Sequence, residues 1–73
     1  MIIILSERLK QLRLERHLTQ RNVADHLGVN LRTYQYYESG QDKAHRPDLE
    51  TLVVLAELYH VSVDYLIGRT DVR

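Results

Sequence analysis

The chain contains no cysteine, tryptophan or phenylalanine, and only one methionine, one proline and three glycines in 73 residues. Without cysteine it can build neither a disulfide staple nor a thiolate metal site, so one small apolar core must supply its stability. The same absence suits a reducing cytoplasm, where the protein is expected to reside. The only candidate for a targeting segment is MIIIL at residues 1–5. It is far short of the roughly 20 apolar residues that cross a bilayer and has no basic flank before it, so no membrane association is expected. Net charge is absent too, with ten basic residues balancing ten acidic ones. A nucleic-acid-binding module is usually basic, so the sum argues against such a partner. Position argues the other way. Residues 1–46 carry eight Lys or Arg against five Asp or Glu, and residues 47–73 carry two against five, as expected if one side of the domain meets an anion.

Catalytic signatures are missing as well. The four histidines, at positions 17, 26, 45 and 60, show no i, i+4 pair and no HExxH, so no metal or cofactor is expected. No nucleophile elbow, phosphate loop or dinucleotide fingerprint occurs, and Asp48 with Glu50 makes no catalytic pair without a cleft. The chain is read as a non-enzyme.

What is present is a helical pattern with regular stops. Ser6 is a candidate N-cap, with Glu7 beside the helix dipole and Leu5, Leu9 and Leu12 on one face; this helix should end near Arg16, with His17 as the left-handed stop residue. Thr19 caps a second helix whose buried stripe is Val23, Ala24 and Leu27, and Gly28 terminates it. Asn30 caps a third, reaching about Ser39, and Gly40 ends it before the polar loop QDKAHRPD. Asp48, after Pro47, caps a fourth, with Leu49, Leu52, Val53, Leu55 and Ala56 as its apolar face and His60 as its stop. Ser62 starts a last short helix through Ile67, closed by Gly68. The expectation is an all-α bundle of five helices.

Helices two and three are separated by only Gly28, Val29 and Asn30, a connection that sets two short helices at a steep angle and projects the second outward. The run LTQRNVADHLGVNLRTYQYYESG, with SERLKQLR before it and PDLETLVVLAELYHVSVDYLIGRTD after it, resembles the phage-repressor and Cro-type helix-turn-helix family, often called XRE. Its marks are Gln20, Ala24, Gly28, Val29, Glu38, Gly40 and the tail VSVDYLIG. The resemblance implies a lambda-repressor-like DNA-binding domain, with the helix-turn-helix at about residues 20–38 and the third helix in the major groove of double-stranded DNA. It divides the chain into an apolar N-terminal segment (1–5), the DNA-binding domain (6–68) and a short C-terminal tail (69–73).

The faces of the third helix follow from its period. At about 100° per residue, Leu31, Tyr34 and Glu38 cluster, Tyr37 flanks them at the edge of the core, half buried, and Arg32, Thr33, Gln35 and Tyr36 point outward. Arginine suits guanine, glutamine suits adenine and threonine offers hydroxyl or methyl contacts, so these four are the candidate base-contacting residues. Tyr34 needs a partner or solvent path for its hydroxyl. Candidate phosphate contacts are Gln20, which resembles the family's backbone-contacting glutamine, its neighbours Arg21 and Asn22 at the start of helix two, Asn30, and Lys43, His45 and Arg46 of the loop, which the resemblance places along the phosphates or near the minor groove. Arg13 and Glu38 resemble the family's internal ion pair, a structural role.

Two functions stay open. One is a small Cro-like or controller-type transcription regulator, a repressor by occlusion, binding a palindromic operator as a homodimer. The other is a protein-interaction module such as an antitoxin or adaptor, which a neutral charge and the exposed Leu14 and MIIIL favour. For dimerisation, Ile2–Ile4 can form a strand paired with a symmetry mate or cover the core beside helix five, and the family often uses the region near Val61, Val63, Tyr65 and Leu66.

Overall fold

The computed structural model of the protein describes residues 2–40 and 46–73. Among them are five helices, α1 (Ile2–Glu15), α2 (Gln20–Leu27), α3 (Leu31–Ser39), α4 (Leu49–Tyr59) and α5 (Val63–Leu66), and no strand. The starts of four helices lie where short polar side chains can take up an orphan amide. Thr19 Oγ1 accepts from Asn22 N–H at 3.0 Å while Asn22 Oδ1 accepts from Thr19 N–H at 2.9 Å, a reciprocal capping box. Asn30 accepts from Thr33 N–H and Asp48 from Thr51 N–H, both at 2.8 Å, and Ser62 from Tyr65 N–H at 3.0 Å. The stops are left-handed residues: Gly28, Gly40 and Gly68, with His17 and His60 both at φ 56°.

The first helix departs from its expected start. Ser6 is not an N-cap, because α1 begins four residues earlier and runs through the apolar segment, so Glu7 is not in its first turn either. Isoleucine costs a helix only a few tenths of a kcal/mol, which packing easily outweighs. Leu5 is buried, and Ile4 lies against the end of α5, where a Cβ added to Gly68 would come within 2.9 Å of Ile4 Cγ2. A strand at Ile2–Ile4 is therefore excluded. Ser6 is buried and donates its hydroxyl to the Tyr37 carbonyl at 2.9 Å, tying α1 to α3.

α2 and α3 pack on each other, α3 on α1, α4 on α2 and α5, and α5 back on α1. Leu9, Leu12, Val23, Tyr34, Leu55 and Leu66 are fully buried where these helices meet. On α4 the buried stripe runs through Leu55, Ala56 and Tyr59, whereas Leu49 and Val53, expected to face inward, are 71% and 42% exposed. Val53 lies about 100° round from Leu52, off the stripe, and Leu49 is the first residue of the helix. Tyr65 and Leu66, suggested above as dimer contacts, are core residues.

The tail is tied down. The Arg8 guanidinium lies 4.0 Å from the centroid of the Tyr65 ring, donates to the carbonyls of Tyr65 and Thr70, and pairs with Asp71 at 2.7 Å. Arg73 makes two bonds to Glu15, at 2.7 and 2.8 Å, and its carbonyl accepts from Ser62 N–H. The hydrogen bond from Arg73 holds the exposed Glu15 carboxyl below its usual value.

Candidate nucleic-acid interface

The turn between α2 and α3 is shaped by Gly28 at φ 73°, whose N–H is shared between the Ala24 and Asp25 carbonyls, while Val29 N–H donates to Ala24 O at 3.1 Å. No atom lies within 4 Å of a Cβ added at Gly28, so it is the left-handed backbone rather than space that favours glycine there. Ala24 is buried at the crossing and Val29 packs against the core, which leaves α3 with a fixed inner and outer face.

The inner face carries Tyr34 and Tyr37. Their rings meet edge to face, 6.1 Å between centroids at 77°. Tyr37 is buried, not half buried as its flanking position implies, with the Tyr34 ring against its own and its carbonyl accepting from the Ser6 hydroxyl. The hydroxyls of Tyr34 and of Tyr59 from α4 are buried near each other and near the Glu38 carboxylate, but neither makes a hydrogen bond of ordinary geometry among the described residues. Burial first, and then the neighbouring Glu38 carboxylate, push the Tyr34 phenol well above its ordinary value, and burial raises Tyr59, so both stay neutral.

The outer face presents Arg32 and Gln35 exposed, with Thr33 and Tyr36 half-buried beside them. The four candidate base-contacting residues thus lie on the side of α3 away from the core. Glu38 lies between the faces. Its carboxylate accepts from Arg13 Nε at 2.7 Å and from Arg13 Nη2 at 3.1 Å, a fork from α1 to α3. Arg13 Nη1 also donates to the Leu18 carbonyl at 2.9 Å. The side chains of Arg13 and Glu38 are only 10% and 4% exposed, and the hydrogen bond to Glu38 raises the Arg13 guanidinium above its already high value.

Gln20 does not stand free at the start of α2. Its Nε2 donates to Glu38 Oε1 at 3.3 Å and its Oε1 accepts from Gln35 Nε2 at 3.4 Å. Among the other candidate phosphate residues, Arg21, Asn22, Asn30 and Arg46 are exposed, and Asn22 and Asn30 have their side-chain oxygens engaged as caps with the amide NH2 left over. Lys43 and His45 lie outside the described residues.

One cation at this surface had no signal in the helix-turn-helix motif. Lys10 of α1 joins Gln20, Gln35, Glu38 and Ser39 in lining an open groove of about 180 Å³. It precedes Arg13 by one helical turn, so the face of α1 that brings Arg13 to Glu38 also brings Lys10 to the groove; that spacing could have identified it. Among the described residues no group of metal-binding side chains occurs and no helix is long and apolar enough to cross a membrane.

Comparison with known proteins identifies the family and agrees with the fold. A family model described as "Helix-turn-helix" matches residues 9–66. The chain is 45% identical over 65 residues to the uncharacterized HTH-type transcriptional regulator YobD of Bacillus subtilis, covering 89% of this chain and 55% of that protein. It is 38% identical over 65 residues to the cryptic phage CTXphi transcriptional repressor RstR of Vibrio cholerae, with the same coverage of 89% and 55%. A crystal structure of a transcriptional regulator from Listeria innocua superposes with a TM-score of 0.79 at 39% identity, over 88% of this chain and 57% of that one. The chain spans about half the length of the curated relatives it matches. These similar proteins are named as regulators, not as enzymes. The protein is a member of the helix-turn-helix family, of the phage-repressor and Cro type that its sequence resembles.

Proposed function

We propose that this chain is the sequence-specific double-stranded-DNA-binding module of a cytoplasmic transcription regulator, a repressor acting by occlusion. The observation that carries it is the two-faced α3: Tyr34 and Tyr37 lock one side into the core while Arg32 and Gln35 stand exposed on the other. Arg32, Thr33, Gln35 and Tyr36 read base edges in the major groove. Gln20, Arg21, Asn22, Asn30 and Arg46 contact backbone phosphates, with Lys43 and His45 in the same role and Lys10 at the rim of the groove. One short helix reads few bases, so the module works as a symmetric dimer on a palindromic operator with half-sites about 34 Å apart.

A protein-interaction role is the second reading, and the exposed Leu49 and Val53, one turn apart on α4, are what favours it. Selection of binders from a random duplex pool separates the two. A palindromic consensus that Arg32→Ala with Gln35→Ala erases, together with steep weakening by salt as counterions are released, supports the regulator. Salt-insensitive binding, or no binding to any duplex, supports the interaction module.

A further inference from the structure

The hydrogen bonds around Gln20 do more than fasten two helices. The Glu38 carboxylate accepts both bonds of the Arg13 fork, and carboxylate oxygens offer only acceptors. The end of the Gln20 amide that meets it must therefore be the NH2 group, which turns the Gln20 carbonyl oxygen toward Gln35. That oxygen in turn accepts only from an N–H, so the NH2 end of Gln35 is drawn inward. Its carbonyl oxygen and its second N–H remain for the partner. One amide orientation thus propagates from a buried ion pair to an exposed side chain.

We propose that Arg13, Glu38 and Gln20 form a positioning relay that sets the orientation of Gln35 and with it the base that Gln35 selects. This rests on the DNA-reading role of α3 proposed above. With one N–H committed to Gln20, Gln35 presents one acceptor and one donor, the pattern that matches the N6 and N7 edge of adenine. Guanine, with acceptors at both O6 and N7, would need two donors. Arg13 and Glu38 touch no base in this arrangement. They act through Gln20, and the groove beside them, rimmed by Lys10 and Ser39, leaves the outer end of the relay open to the partner.

The test is selection from a random duplex pool with five proteins: the parent, Gln35→Ala, Gln20→Met, Glu38→Gln and the Gln20→Met/Gln35→Ala double variant. Gln35→Ala identifies the base pair that Gln35 reads. Gln20→Met keeps the chain length but can neither donate nor accept as an amide does, so it should lower the preference for adenine over guanine at that same base pair by about tenfold and leave the others sharp. The Gln20→Met/Gln35→Ala double variant should then be no broader there than Gln35→Ala alone. A uniform loss of affinity for all sequences would reflect only a lost phosphate contact, so an adenine preference retained at that pair in Gln20→Met overturns the relay. Glu38→Gln, whose amide can offer either end to Gln20, should broaden the same position. If it does not fold, Gln20→Met carries the test. Without DNA, the Gln35 side-chain amide resonances should move in Gln20→Met, and unchanged resonances count against the relay. A parent protein that selects no consensus sinks the DNA-reading role itself, a different outcome from a consensus that stays sharp in the variants.

Discussion

Replacing Glu38 by leucine should be among the most damaging single changes in this domain, and replacing its partner as well should repair much of the damage. Glu38→Leu removes both acceptors of the Arg13 fork and leaves a guanidinium, only 10% exposed, with the Leu18 carbonyl as its remaining partner. Orphaning one charge of a buried pair costs about 3–5 kcal/mol. At roughly 0.05–0.15 kcal/mol per residue, a domain of 73 residues holds only about 4–11 kcal/mol in total. A 1 kcal/mol loss lowers Tm by about 4–8 °C at this size, so a fall of more than about 12 °C is expected. Arg13→Met alone leaves the Glu38 carboxylate buried with only the Gln20 amide and should cost a similar amount. The double variant Arg13→Met/Glu38→Leu replaces the ion pair with apolar side chains of comparable length, an exchange that is often neutral or better. It should therefore recover most of the loss. Urea and thermal unfolding of all four proteins, followed by far-ultraviolet circular dichroism, gives the coupling energy directly. Losses that simply add, or a Glu38→Leu loss below about 1 kcal/mol, would refute the view that the cost lies in the orphaned charge.

Other expectations are smaller in scale. Gly28→Ala, with open space around the new Cβ, should cost only the left-handed backbone penalty of about 1–2 kcal/mol, while Gly68→Ala should cost more because Ile4 must shift. Ile4→Ala should reduce the excess at Gly68, and equal losses at the two glycines in urea unfolding would contradict this. Tyr34→Phe and Tyr59→Phe each delete a buried hydroxyl that makes no hydrogen bond of ordinary geometry among the described residues and should cost less than about 1 kcal/mol, whereas Tyr34→Ala should cost about 3–5 kcal/mol. The Thr51 backbone bond depresses the Asp48 carboxyl in the folded state, so its contribution is complete above the unfolded value of about 4 and is lost as pH falls through the lower folded value. Asp48→Asn should flatten that part of the acid limb in thermal unfolding at pH 2–5; an unchanged limb would count against the assignment.

Much of this architecture was legible in local patterning because its causes are local. A cap and its amide are three residues apart, and the left-handed stops at Gly28, Gly40 and His60 act on their own backbone, so Thr19, Asn30, Asp48 and Ser62 could be placed from spacing alone. The helical period likewise separated Arg32 and Gln35 from Tyr34 along α3. The same local logic misplaced Ser6, whose hydroxyl has a partner 31 residues away at Tyr37 instead of an amide in its own first turn.

Contacts between helices distant in the chain required the folded arrangement. Arg8 reaches Asp71 across 63 positions, Glu15 meets Arg73 across 58, and the exposure of Leu49 and Val53 follows from what packs against α4. Gln20 shows the division most clearly. Its place at the start of α2 could be read from the turn and the cap, but its amide orientation could not. That orientation is set by an acceptor-only carboxylate 18 residues on, itself held by an arginine from another helix. Periodicity specifies which side of a helix a residue occupies; which atom of its side chain points outward depends on partners that only three-dimensional packing brings within hydrogen-bonding distance.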